Sequence, residues 1–157
     1  MKKIYLVLLF TISFFLLISC GNDSSSKQEK DISIDQIIDI HNITGKSIQQ
    51  VEDVLGSSQK AKEFSGYPCK ETDECKKVFF QNQKFEVIFR NSKADRITIN
   101  KTPDLTSNKK AILALGLPNS KPDFQNPTFV SRWENVQNIA EISFFPDYIL
   151  VQVSNTE

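Results

Sequence analysis

The sequence predicts an α+β fold: two tandem units, each a helix followed by a three-stranded antiparallel meander, forming one domain. Three observations predict it. Residues 47–56 and 107–116 share one outline sixty positions apart: a serine cap, apolar residues on one helical face and a glycine stop. Behind each come three strand-like segments, and two of them, 85–89 and 95–99, show the period-two apolar alternation of half-buried strands. The connections between those segments are short and polar, as antiparallel hairpins require.

In the first unit, Ser47 is placed to cap a helix, Gln50 completes a capping box and Gly56 stands where a terminating glycine belongs. Ile48, Val51 and Leu55 fall on one face. A further helix is expected over 34–41, with Ile34, Ile37, Ile38 and His41 on one side. Strands are expected over 77–80, 85–89 and 95–99; Phe85, Val87 and Phe89 share a face, as do Ile97 and Ile99. Residues 81–84 and 91–94 supply the turns. In the second unit Ser107 is the expected cap, Ala111, Ile112 and Leu115 the apolar face and Gly116 the stop, with Pro118 preventing continuation. Strands follow over 129–133, 140–145 and 148–153, with turns at 135–138 and at Pro146-Asp147. The unit boundaries fall near 34–101 and 102–157, and the repeated order reads as a duplication.

The order helix, long loop, meander is similar to the fold shared by β-lactamase-inhibitor proteins and the small lipoprotein of the outer-membrane barrel-assembly machinery. The helix ending Val-x-x-x-Leu-Gly is matched by Val51, Leu55 and Gly56. The proline that follows the glycine in that pattern stands only in the second unit, as Pro118, while Ser58 holds its place in the first. The resemblance concerns the fold; function belongs to a site.

Met1-Lys2-Lys3 opens an apolar run that ends in Leu17-Ile18-Ser19-Cys20. A positive start, an apolar stretch and a small-residue cleavage site make a secretory signal. The ending resembles the bacterial lipoprotein signal, which implies that Cys20 is lipidated and becomes the first residue of the mature chain. The alternative is an uncut spanning helix, but residues 4–19 are just short of the roughly 17–25 needed, and no basic cluster follows. Residues 20–33 are polar, lack aromatics and read as a lipidated flexible tether. More than one acyl chain gives stable anchoring at about 0.8 kcal/mol per buried CH₂. The chain is therefore expected in a bacterial cell envelope, held to a membrane through the lipid on Cys20. Gly21, in place of an inner-membrane retention aspartate, favours the outer membrane in a two-membrane cell.

Removing residues 1–19 leaves 138 of the 157, with 17 basic and 19 acidic side chains. That net charge of −2 gives nucleic acid no reason to bind. Of the three cysteines, Cys69 and Cys75 remain once Cys20 carries lipid. Outside the cytoplasm a pair this close reads as a disulfide, worth on the order of 2.5 kcal/mol for so short a loop. A metal site using both thiolates with Glu71, Asp73 or Glu74 is the alternative. Against it, zinc sites favour cysteine spacings of two to four residues and often histidine, whereas the chain has five residues between the pair and only His41.

Motifs for catalysis are sparse. Thr44-Gly45-Lys46-Ser47 resembles the end of a phosphate-binding loop, but the full motif needs glycine where Ile40 stands. No Gly-x-Ser-x-Gly elbow accompanies His41, and Glu52-Asp53 and Asp73-Glu74 read as solvated faces or turns. No catalytic residue, metal or cofactor is assigned. Twelve Phe, three Tyr and one Trp supply more aromatic surface than usual, most of it for the core. Trp133 beside Arg132, and Tyr67 beside the closed loop, are the candidate contact residues, because Trp, Tyr and Arg dominate interface hot spots. Trp133 as a sheet-packing residue is the competing assignment. A loop stiffened by a disulfide loses less entropy on binding, which makes 64–76 a candidate contact segment. The expectation is a non-catalytic module that binds an envelope protein or peptide. The alternatives are a small-molecule or glycan binder using Trp133 and Tyr148, or a hydrolytic enzyme built around His41.

Overall fold

Apolar side chains from the six inner strands collect on one face of a single antiparallel sheet, and the helical segments pack there. The computed structural model describes residues 33–153; the signal segment, Cys20 and almost all of the tether lie outside the described residues. The described chain is α+β, with one α-helix and an eight-stranded sheet. Among the described residues no helix is long and apolar enough to cross a membrane.

Helix α1, Ile48–Leu55, forms as its caps dictate. Gln50 N–H donates to Ser47 Oγ at 3.4 Å while Ser47 N–H donates to Gln50 Oε1 at 3.0 Å, a complete capping box. Val51 and Leu55 are buried and Ile48 packs against the same cluster. The helix expected over 34–41 is absent apart from a 3₁₀ turn, Ile40–Asn42, capped by Asp39, whose Oδ1 accepts from His41 N–H. Residues 33–39 are not helical: Ile34, Ile37 and Ile38 are β-branched and lose side-chain freedom in a helix. They pack against the core instead, with the Ile37 amide donating to Ala114 O at 2.7 Å.

The second expected helix is shortened to a five-residue 3₁₀ helix, Ala111–Leu115, and Ser107 does not cap it. Its N-cap is Lys110, without a side-chain bond. Upstream, Asn108 Oδ1 accepts from Lys110 N–H at 2.9 Å, a local turn that competes with helical pairing. Ala111, Ile112 and Leu115 are fully buried. Gly116 ends the helix at φ +72°, and a Cβ there would meet Asp39 Cα at 3.1 Å. The crossing N-terminal segment therefore needs this glycine for both conformation and space.

The strands are β1 (Lys60–Glu63), β2 (Cys75–Phe80), β3 (Phe85–Arg90), β4 (Lys93–Asn100), β5 (Phe124–Asn126), β6 (Val130–Val136), β7 (Ile139–Phe144) and β8 (Tyr148–Gln152). Their order is β1-β2-β3-β4-β8-β7-β6-β5, so each meander has four strands rather than three and the two halves join between β4 and β8. The added strands, β1 and β5, are the edges. All four β1 residues are exposed, so no apolar alternation announces the strand. Two-residue turns at Asn91-Ser92 and Gln137-Asn138 carry positive φ at both positions, as tight hairpins of this twist require.

The packed face carries Phe80, Phe85, Val87 and Phe89 from one half and Ile142 and Phe144 from the other, all nearly inaccessible. Trp133 belongs to this face. It is 1% exposed, meets Phe144 edge-on at 5.4 Å, and its indole N–H donates to Ser120 O at 3.0 Å.

Candidate functional site

Neighbouring residues on a strand point to opposite faces, so the pairing register identifies the side chains that the core does not use. One row across seven strands reads Phe79, Glu86, Thr98, Leu150, Ser143, Arg132 and Phe124. The next row contains Lys77, Ile88, Arg96, Gln152 and Glu141. These rows lie on the face opposite the helices. Thr98, Leu150, Tyr148 and Arg132 are half-buried and Phe124 is exposed.

The loop 64–74 folds over one half of this face. Its covalent closure is the Cys69–Cys75 disulfide, which leaves no thiolate pair for a metal. Arg96 Nη1 on β4 donates to Tyr67 O at 3.3 Å, and its guanidinium carbon lies 5.5 Å from the Tyr67 ring centroid. Lys77 on β2 places its ammonium 4.8 Å from the Phe64 ring centroid and 2.7 Å from Glu86 Oε1. Ile88, between Lys77 and Arg96 in the row, is only 3% exposed; an apolar residue on the outer face is dry because the loop roofs it. Tyr67 itself stays 59% exposed.

A polar network pins the loop's far end. Asp73 accepts from the Lys70 N–H at 2.9 Å and from Asn91 Nδ2 at 3.2 Å, with Arg90 Nη1 at 3.9 Å. The Lys70 amide, then Asn91 and the Arg90 charge hold the Asp73 carboxyl below its ordinary range. Arg90 also pairs with Asp95, Nε to Oδ2 3.2 Å. Asp95 is the extra residue of a β-bulge opposite Ile88 and Phe89, and Gln152 Nε2 on β8 donates to its Oδ2 at 3.1 Å. The bulge thus ties the loop's network to the seam between the two halves.

Beyond the loop, over β8, β7 and β6, Leu150, Tyr148 and Arg132 remain partly exposed while Ser143 and Gln152 are buried. Arg132 Nε lies 3.2 Å from Ser143 Oγ and 3.4 Å from Glu141 Oε1, and Ser143 Oγ donates to that same carboxylate at 2.8 Å. Tyr148 stacks on Phe145 with ring centroids 4.4 Å apart. Arg132 and Arg96 are separated by three strand spacings, about 14 Å.

Of the sequence candidates, Tyr67 and Arg132 reach this one face and Trp133 does not. The reason is strand geometry: Arg132 and Trp133 are adjacent on β6 and must point to opposite sides. Trp133 therefore cannot share a ligand surface with Tyr148. His41 is half-buried, and its Nε2 meets Gln137 Oε1 at 2.7 Å, an amide rather than a carboxylate partner. Among the described residues no group of three metal-ligating side chains is assembled. Arg96, Thr98, Ser143 and Leu150 were not among the sequence candidates, although the alternation of Ile97 and Ile99 already set Arg96 and Thr98 opposite the core. No protein-family model matches the chain, nor does any curated protein or solved structure.

Proposed function

We propose that the chain is a lipid-anchored bacterial envelope protein that binds a partner protein or peptide, without catalysis, on the open face of its sheet. The observation that carries the reading is the half-uncovered face itself. One side of the sheet is filled by core, whereas over β6, β7 and β8 the other presents Leu150, Tyr148, Phe145 and Arg132, each partly exposed, around a buried Ser143. The disulfide loop forms a wall beside this surface, with Tyr67 at its rim. Mixed aliphatic, aromatic and arginine character suits a protein contact. Ion pairs such as Arg132–Glu141 fix side chains in advance and lower the ordering cost of binding.

The LISC ending supports anchoring through Cys20, and the tether 20–33 gives the domain reach from the membrane. The two halves of the sheet, each preceded by a helical segment, support duplication of one helix-plus-meander unit. The same order supports the resemblance to the β-lactamase-inhibitor-like fold. In-cell crosslinking of the tagged chain, followed by mass spectrometry, tests the function. One dominant envelope partner, captured by wild type and lost with Cys20→Ala or with Leu150→Arg, supports it. Undiminished capture by Leu150→Arg argues against the face.

A further inference from the structure

At the β1 corner of the same face, Gln59, Lys60, Lys62, Phe79 and Gln83 line a cavity of about 280 Å³. Its position follows from register: Lys60 is opposite Phe79 and Lys62 opposite Lys77, so both lysines stand on the outer side of the sheet. The volume is at the lower limit of small-molecule pockets and suits one or two inserted side chains.

The charges here are unbalanced. Lys77 is occupied by Glu86 at 2.7 Å. Neither Lys60 nor Lys62 has an acidic side chain within ion-pair distance among the described residues. Glu63, the nearest acid in sequence, points to the opposite side because it is one residue from Lys62. Gln59 is held rigidly, its Oε1 accepting from Asn82 N–H at 2.6 Å and its Nε2 donating to Asn82 Oδ1 at 3.0 Å. Phe79 supplies an apolar floor and is only half-buried.

β1 is also an edge strand, with no neighbour on its outer side among the described residues. Lysines on such an edge prevent pairing with neutral or basic strands. They leave it open to an extended segment that brings negative charge, and added-strand binding supplies main-chain hydrogen bonds as well. We propose that this corner receives an acidic, extended segment of the partner protein, whose carboxylate side chains pair with Lys60 and Lys62 over Phe79. The inference rests on the open-face reading and adds the partner's chemistry to it.

The test is a titration of the purified, ¹⁵N-labelled full chain in neutral detergent with a short peptide alternating glutamate and threonine. The control is its glutamine counterpart. The expected result is amide shifts concentrated at residues 59–63 and 77–83, with the glutamine peptide about tenfold weaker, as loss of charge-assisted bonds implies. The double substitution Lys60→Gln and Lys62→Gln loses the same factor, and added salt weakens the acidic peptide alone. Equal binding of both peptides, or no shift along β1 at millimolar peptide, overturns the inference. So does displacement of the acidic peptide by inorganic phosphate or by phosphatidylglycerol vesicles at equal anion concentration. If Leu150 contacts a partner in cells and the lysine substitutions leave that contact unchanged, the corner inference fails while the open-face reading stands.

Discussion

Arg96 on β4 holds Tyr67 of the disulfide loop by two contacts at once: Nη1 donates to the Tyr67 carbonyl at 3.3 Å, and the guanidinium stands 5.5 Å from the ring centroid. The loop leaves the sheet after β1 and returns into β2, yet its clasp is two strands further in. A side chain on the open face thereby decides how much of that face is roofed. Arg96→Gln should cost about 0.5–1 kcal/mol, the range of an exposed cation–π contact. Amide exchange should rise at Cys69, whose N–H donates to Gly66 O, and at Ile88. Unchanged exchange at both positions counts against the clasp.

Acid should loosen the same loop from its other end. The Asp73 carboxyl is held below its ordinary range, chiefly by the Lys70 amide. A depressed carboxylate contributes stability that is fully present above the unfolded aspartate value, about 3.9. That contribution is lost as pH falls through the lowered folded value. The predicted outcome is a loss of protection, measured against intrinsic exchange rates, at the Lys70 and Asn91 amides as pH falls below the ordinary aspartate range. Asp73→Asn should flatten that pH dependence, and a dependence identical in wild type and variant contradicts the assignment.

Gly116→Ala should be among the most damaging small substitutions in the chain. At φ +72° an alanine carries the left-handed cost, on the order of 1 kcal/mol or more, and its Cβ would sit 3.1 Å from Asp39 Cα. Chemical denaturation should show a loss of at least about 1 kcal/mol. Gly45, with open space around its Cβ position, should tolerate alanine better although its φ is also positive.

Trp133→Ala separates packing from recognition. Removing a fully buried tryptophan costs about 3–5 kcal/mol, so urea unfolding should shift strongly. A variant that kept its stability and lost partner capture would return Trp133 to the surface, against its 1% exposure.

Much of this architecture was legible in the side-chain periods. Six of the eight strands were expected, 85–89 and 95–99 from alternation such as Phe85, Val87 and Phe89, and α1 follows from Ser47 and Gln50. What escaped had no apolar period to read. β1 is Lys-Ala-Lys-Glu, fully exposed, and forms because β2 offers it an edge. The 107–116 segment carries helical signals, yet Asn108 diverts the start and only a 3₁₀ turn survives. The site was half legible: Tyr67 and the Cys69–Cys75 closure could be read locally. Their contact with Arg96 bridges 29 residues and depends on the fold.

Site-specific photocrosslinking in cells decides whether the outer sheet face meets the partner, with the reactive group placed at Leu150 on that face or at Val54 on the exposed side of α1. Val54 is 42% exposed and serves as the control for accessibility. One dominant protein adduct is expected from Leu150 and none above background from Val54. Adducts of equal yield from both positions, or a dominant adduct from Val54 alone, would contradict it.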